Sequence, residues 1–179
     1  MVETSPPVVV VMGVAGVGKT TVARLVAQRL GVPYAEADDF HPEANIAKMS
    51  AGVPLDDADR WPWLQQIAEW MSDRVRERTG GVVTCSALKR AYRDALRVGD
   101  TDAFFLHLSG NRGLIGDRLS HRAGHFMPTS LLDSQFEILE PLQSDEQGAV
   151  LNVGQSPDQL ADEAVRLLIA GNRASAPGA

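Results

Sequence analysis

The stretch GVAGVGKT at residues 13–20 directly follows a run of apolar residues, VVVVM, at residues 8–12. A continuous run of this kind predicts a central strand of a parallel sheet, covered on both faces. The stretch itself has the spacing G-x-x-x-x-G-K-[ST] of a phosphate-binding loop. A helical pattern follows it over residues 19–30. The sequence therefore predicts a strand, a loop that binds phosphate and a helix, in the order that this motif requires.

Each part of this loop has a chemical task. Its glycines let the backbone N–H groups point at phosphate oxygens, and the N-terminus of the helix adds a partial positive charge. Lys19 is expected to reach the β- and γ-phosphates, and the hydroxyl of Thr20 to hold Mg²⁺. The alternative, a turn that only connects strand and helix, does not need Lys-Thr after the last glycine. The predicted nucleotide-binding residues here are Gly13, Ala15, Gly16, Val17, Gly18, Lys19, Thr20 and Thr21.

Apolar runs and helical patterns alternate along the rest of the chain. This alternation predicts βαβ units and a mostly parallel sheet, and hence an α/β fold in three layers. With no repeat or internal linker, residues 1–179 are predicted to form one domain, with a mobile lid at about 118–130 and a frayed tail at 171–179. The four further strands are predicted at residues 33–37, 82–85, 103–108 and 149–153.

Composition narrows the class of protein. The formal net charge of −6 and the absence of a basic run argue against nucleic acid or an anionic membrane as partners. The apolar run at residues 8–12 is too short to span a bilayer. The single cysteine, Cys85, excludes an intrachain disulfide, which fits a protein of the reducing cytoplasm.

The kind of phosphate-binding protein is indicated by residues after the second predicted strand. The Asn-Lys-x-Asp motif of GTPases is missing, but Glu36 and Asp38 stand at the carboxyl end of that strand. Strand ends converge on the phosphate site, and residues two apart on a strand share a face. One carboxylate could then support Mg²⁺ and the other accept a proton from an attacking hydroxyl, as in a kinase for a small alcohol. The alternative is a solvated acidic loop.

Several blocks of sequence, in order along the chain, together resemble the gluconokinases. The resemblance extends from the phosphate-binding loop to about residue 153. It implies that ATP phosphorylates D-gluconate at its 6-hydroxyl, with Mg²⁺, on a five-stranded sheet of order 2-3-1-4-5, commonly in a homodimer. The blocks include EADDFHP at 36–42, NIAKM at 45–49, DADR at 57–60, CSALKRAYRD at 85–94, GHFM at 124–127 and SQFE at 134–137.

The resemblance also implies roles for single residues. Asp38 resembles the catalytic base, and Glu36 stands where the family commonly has the aspartate of the metal shell. Arg118 and Arg122 lie four residues apart at the entrance to the lid; Arg118 is expected to contact the nucleotide, and Arg122 to stabilise charge on the transferred phosphoryl group. Arg60 is expected to anchor the carboxylate of the acceptor. The implied gluconate-binding residues are Asp38, His41, Lys48, Arg60, Ser86, Lys89 and Arg93.

Some alternatives stay open at this level. Lys89 and Arg93, four residues apart, are predicted to share a helix face, and Arg93 could instead belong to a solvated basic surface. The chain could be a kinase for another small acceptor, such as shikimate or a nucleotide. It could also be a nucleotide sensor without turnover, although a sensor has no need for a base such as Asp38.

Overall fold

The sheet is the centre of the fold. The computed structural model describes residues 5–97, 102–121 and 129–174. Its five parallel strands stand in the order β2-β3-β1-β4-β5, which confirms the predicted α/β class and the strand order implied by the resemblance. The strands are β1 Val8–Met12, β2 Tyr34–Glu36, β3 Gly81–Thr84, β4 Ala103–Ser109 and β5 Gly148–Asn152.

Helices cover both faces of this sheet and form the outer layers. The alternation of side chains along β1 divides the core, because Val9 and Val11 pack on one side while Val10 and Met12 pack on the other. None of the helices in the described part of the chain is long and apolar enough to cross a membrane. The helices are α1 Lys19–Leu30, α2 Glu43–Ser50, α3 Asp57–Arg76, α4 Arg90–Leu96, α5 Arg112–Ser120, α6 Thr129–Ile138 and α7 Pro157–Ala174.

The segment after β2 differs from the prediction. The strand ends at Glu36, and residues Ala37–Phe40 form a short 3₁₀ helix, which we call the acidic turn. Glu36 and Asp38 therefore do not share a strand face, and the prediction that they do is wrong. The strand ends here because β2 is an edge strand whose pairing with β3 extends only to the Glu36–Thr84 register.

Proline favours the first turn of a helix, so Pro62 predicts a helix that starts near Trp61–Pro62, but α3 begins earlier, at Asp57. The carboxylate of Asp56 accepts a hydrogen bond from the Asp59 amide at 2.8 Å, and the Asp59 carboxylate accepts one from the Asp56 amide. This reciprocal capping box satisfies two amides and starts the helix at Asp57. Arg60 consequently lies in the first turn of α3, and Pro62 lies inside the helix.

Two further boundaries affect the predicted site. Helix α4 begins at Arg90, so Lys89 precedes the helix and does not share a helix face with Arg93. Of the predicted lid, residues 118–120 belong to α5 and residues 129–130 to α6, while residues 122–128 lie outside the described residues. Residues 171–174, predicted as frayed tail, continue helix α7, and residues 175–179 again lie outside.

Candidate active site

The loop between β1 and α1 has the backbone of a phosphate cradle. Gly13, Gly16 and Gly18 have φ angles of 145°, 84° and 92°, which residues other than glycine rarely adopt. A Cβ atom at Gly13 would lie 2.7 Å from the backbone oxygen of Leu108 on the neighbouring strand. All three glycines are thus required for the turn, and Gly13 also for the close approach of β4.

Lys19 and a glutamine of α6 interact with this loop. The Lys19 ammonium donates to the carbonyl oxygens of Gly13 and Val14 at 2.9 and 3.0 Å. The Ala15 amide donates to Oε1 of Gln135 at 2.7 Å. Since Ala15 is a predicted phosphate contact, a phosphate oxygen that accepts from this amide must displace the Gln135 side chain. No role is predicted for Gln135 from the sequence, although this residue stands in the SQFE block.

The acidic turn is held on both sides by the protein core. Its first residue, Ala37, donates its amide to Oγ1 of Thr84 at 3.3 Å, and its carbonyl accepts from the Trp63 indole N–H at 2.7 Å. Thr84 also donates to the Glu36 carboxylate at 2.7 Å, and the Tyr34 hydroxyl donates to the same carboxylate. The carboxylate of Glu36 is therefore oriented by two hydroxyls.

The charges of Asp38 and Lys19 both act on Cys85, directly after β3. Burial raises the pKa of the Cys85 thiol to about 12, against the opposing effect of a hydrogen bond from Ala87, and keeps the thiol protonated. The Lys19 ammonium lowers that pKa and the Asp38 carboxylate raises it, so both charged groups lie within electrostatic range of Cys85. In addition, the Gly13 amide donates to the Ser86 carbonyl at 3.3 Å. The fold thus brings the phosphate loop, the acidic turn and the segment after β3 together.

His41 adjoins Asp38 as a neutral imidazole. Its ring stacks on the Trp63 indole with 4.4 Å between centroids and an interplanar angle of 9°. Burial lowers the pKa of His41, and the nearby Asp38 carboxylate offsets this only in part. The amide of Asn45 lies 3.3 Å from Nδ1 of His41. The imidazole is held in place and stays uncharged at neutral pH, so it can serve a hydroxyl group without attracting a carboxylate.

Lys48, the next predicted acceptor contact, is paired within the protein. Its ammonium lies 2.7 Å from Oδ2 of Asp59, and this hydrogen bond raises the pKa of Lys48. Because Asp59 also closes the capping box of α3, Lys48 connects α2 to the first turn of α3. That turn carries Arg60.

Two other predicted acceptor contacts, Arg60 and Lys89, lie together around Tyr92 and Asp57. Arg60 donates to the hydroxyl of Tyr92 at 2.9 Å. The Lys89 ammonium lies 3.5 Å from Oδ2 of Asp57, and the Tyr92 hydroxyl donates to Oδ1 of the same carboxylate at 2.5 Å. The side chains of Arg60 and Lys89 remain about one-third exposed. They form a cationic pair that solvent and a small anion can reach.

Arg93 does not belong to this pair, and both interpretations of it from the sequence are wrong. Its side chain is 0% exposed, so it is no solvated basic surface. All five N–H donors are used inside the protein: Glu146 accepts two, and the carbonyls of Ala87, Leu88 and Pro141 accept the others. No donor is left for an acceptor molecule. Arg93 instead fixes the segment that carries Ser86 and Lys89.

Of the two lid arginines, Arg118 lies within the described residues. Nη2 of Arg118 donates to the carbonyl of Val153 at 2.7 Å, directly after β5. This contact fixes the guanidinium at the end of β5, and the contact of Arg118 with the nucleotide stays a prediction. Arg122 lies outside the described residues, and its role stays a prediction.

Known proteins are similar to this chain over most of its length. The model of the shikimate kinase family matches residues 15–168. A gluconokinase of Gluconobacter oxydans is 48% identical over 161 residues, which cover 90% of each chain. A crystal structure of a gluconokinase from Sinorhizobium meliloti superimposes with a TM-score of 0.83 at 41% identity, over 96% of this chain and 97% of that one. An unliganded sugar kinase from a Janibacter species gives a TM-score of 0.85 at 50% identity, over 96% and 99% of the two chains.

Proposed function

The chain belongs to the gluconokinase family within the shikimate kinase-like P-loop kinases, and on this basis we propose that it transfers the γ-phosphoryl group of ATP to the 6-hydroxyl of D-gluconate. The products are ADP and 6-phospho-D-gluconate. The observation that carries the proposal is that Lys19 and Asp38 both lie within electrostatic range of Cys85, at the end of β3. A phosphate-binding cation and a carboxylate base are the two groups that in-line transfer to an alcohol needs.

The reaction assigns one task to each part of the site. Asp38 accepts the proton of the 6-hydroxyl as its oxygen attacks the γ-phosphorus, and Lys19 stabilises the charge on the phosphoryl oxygens. Arg122 is proposed to add a second cation from the lid, and Arg118 to contact the nucleotide. At the other end of the acceptor, Arg60 and Lys89 bind the carboxylate, while His41 and Ser86 are proposed to contact hydroxyl groups.

The residues in place suit Mg²⁺. This hard cation takes oxygen ligands and commonly binds through one or two carboxylates or hydroxyls, water and the phosphates of its substrate. The hydroxyl of Thr20 and the carboxylate of Glu36, the latter oriented by Tyr34 and Thr84, offer such oxygens. When bound, Mg²⁺ would neutralise charge on the β- and γ-phosphates. We further propose a homodimer, as the family resemblance implies, and a cytoplasmic location, which the single cysteine and the use of ATP favour.

A panel of acceptors tests the reaction. The purified protein is mixed with ATP and Mg²⁺, and ADP release is followed with gluconate, other aldonates, glucose, shikimate or AMP. Gluconate-dependent ADP release, with 6-phosphogluconate as product, is the expected result. Release with another acceptor would keep the kinase and reject gluconate. Slow hydrolysis that no acceptor changes would favour the nucleotide sensor.

Replacing Arg60 with alanine is expected to raise the KM for gluconate by about 10- to 100-fold, because a charge-assisted pair of hydrogen bonds to the carboxylate is lost. The KM for ATP is expected to stay near its wild-type value, since Arg60 lies on α3 and the nucleotide binds between β1 and α1. Steady-state kinetics with each substrate varied in turn measures both constants. An effect confined to ATP would move Arg60 out of the acceptor pocket.

A further inference from the structure

The phenol of Tyr92 is the point at which the two acceptor-binding cations meet. Tyr92 lies on α4 and is 4% exposed, with its ring packed in the core between α3, α4 and the sheet. The Arg60 guanidinium and the Lys89 ammonium lie 5.7 and 5.4 Å from the centre of this ring. A cation over an aromatic face is attracted by the ring quadrupole. One nearly immobile ring therefore contacts a cation from α3 and another from the segment before α4.

The hydroxyl of Tyr92 uses both of its hydrogen-bonding capacities within this group. It donates to Oδ1 of Asp57 at 2.5 Å and accepts from Nη1 of Arg60 at 2.9 Å. Burial, followed by the hydrogen bond to Asp57, raises the pKa of Tyr92, so the phenol keeps its proton at neutral pH. Through Asp57 the hydroxyl also acts on Lys89, whose ammonium lies 3.5 Å from the other oxygen of that carboxylate.

The charges of this group favour a further anion. Two cations, Arg60 and Lys89, share the single carboxylate of Asp57, and Tyr92 is neutral. The group thus has one positive charge in excess. The side chains of both cations are about one-third exposed, whereas the phenol is closed off from solvent. An incoming carboxylate can reach the cations but has little access to Tyr92.

We propose that Tyr92 is a positioning residue for the acceptor. Its hydroxyl holds Arg60 directly, and Lys89 through Asp57, in the orientation that binds the carboxylate of gluconate. The inference rests on the proposed function, because it assigns this cationic pair to the acceptor. Long cationic side chains lose rotamer freedom when they bind a ligand, and a protein that has already ordered them reduces that cost. Tyr92 acts through Arg60 and Lys89 and does not contact the substrate.

The test is Tyr92→Phe, which removes the hydroxyl and keeps the ring. The KM for gluconate is expected to rise roughly tenfold, as for the loss of a hydrogen bond to a charged group. The kcat and the KM for ATP are expected to stay within about twofold of wild type, since neither the base nor the phosphate loop is touched. A matched control is Thr79→Val, which removes a hydroxyl that donates to the Gly80 carbonyl at 2.9 Å, just before the amino-terminal end of β3. This control should leave the KM for gluconate unchanged.

A double-mutant cycle separates positioning from direct contact. If Tyr92 acts through Arg60, then Tyr92→Phe should raise the KM for gluconate much less in an Arg60→Ala background than in wild type. Full additivity of the two effects would overturn the proposal, as would an unchanged KM in the single variant. A lower kcat, higher KM values for both substrates and a lower melting temperature would together show a merely structural role. That result would also overturn the proposal.

Failure of the proposed function has a different signature. It would appear in the wild-type arm, as ADP release that gluconate does not stimulate. In that case the cationic pair has no gluconate carboxylate to bind, and the proposed role of Tyr92 is rejected together with the proposed function. If the wild type does phosphorylate gluconate, the outcome for Tyr92→Phe decides the inference alone.

Discussion

Asp38→Asn is expected to lower kcat by about 10²- to 10⁴-fold, the usual contribution of a general base, while ATP still binds. Asparagine keeps the shape of the side chain but cannot accept the proton of the attacking hydroxyl. The backbone of the acidic turn should stay in place, because it is held through Ala37 by the Trp63 indole and the Thr84 hydroxyl and not by the carboxylate of Asp38. The substitution should therefore lower kcat and leave the affinity for ATP near its wild-type value.

The measurement combines two assays on the same protein. Gluconate-dependent ADP release gives kcat, and calorimetric titration with ATP gives nucleotide affinity. Asp39→Asn is the matched control, since Asp39 is an equally exposed carboxylate one residue further along the same turn. It is expected to retain turnover close to wild type. Near-normal kcat in Asp38→Asn, or an equal loss in Asp39→Asn, would contradict the assignment of the base.

Glu146→Gln is expected to lower the free energy of unfolding by about 3–5 kcal/mol, the usual cost of removing one partner of a buried ion pair. Glu146 and Arg93 are both inaccessible to solvent, and their closest contact is 2.7 Å. The neutral amide leaves the guanidinium charge buried without a counter-ion. Urea unfolding followed by circular dichroism measures the change, and the melting temperature should fall by roughly 10 °C.

The neighbouring acid provides the control for this variant. Asp145 is paired with Arg90 at 2.8 Å, but its side chain is 66% exposed. Exposed ion pairs contribute little to stability, so Asp145→Asn should unfold at a urea concentration close to that of wild type. Equal destabilisation by Asp145→Asn and Glu146→Gln would contradict the special role of the buried pair.

The same ion pair predicts a dependence on pH. Burial opposes ionisation of Glu146, but hydrogen bonds from Arg93 and from the Gln143 amide prevail, and the pKa in the folded protein lies below its ordinary value of 4.5. A carboxyl with a depressed folded pKa contributes stability above its unfolded pKa and loses it as the pH falls through the folded pKa. The stability difference between wild type and Glu146→Gln should therefore be full above about pH 5 and shrink as the pH falls further.

Glu146→Gln is also expected to weaken the binding of gluconate. Arg93 donates to the carbonyls of Ala87 and Leu88, and Ala87 has a positive φ of 45°, a conformation that non-glycine residues adopt only when their surroundings hold them. Ser86 and Lys89 lie in the segment so constrained. A weaker hold on this segment should raise the KM for gluconate in Glu146→Gln in addition to the loss of stability.

Much of the fold could be predicted because its signals are local. The apolar run at residues 8–12, the glycine and lysine spacing of residues 13–20 and the alternation of strand and helix patterns all act within a few residues of the chain. Helix α1 has the bounds Lys19–Leu30 that the pattern predicts. Helix starts with unusual capping residues are harder to predict, even though their signals are local. The start of α3 is an example, because Asp59 closes its capping box in place of the usual Glu or Gln.

By itself, the sequence determined the α/β class, the phosphate-binding loop and, through the resemblance of its blocks, the gluconokinase family. Only the tertiary structure decided which charged side chains remain accessible to solvent and which are buried in ion pairs. Lys89 and Arg93 look alike in sequence. Arg93, however, pairs with the carboxylate of Glu146, 53 residues further along the chain, and is buried. Tyr92 looks like a core aromatic, yet its hydroxyl lies between Arg60 and Asp57. The physical reason is that spacing along the chain relates side chains within one element, whereas burial and pairing depend on what other elements bring to the same place.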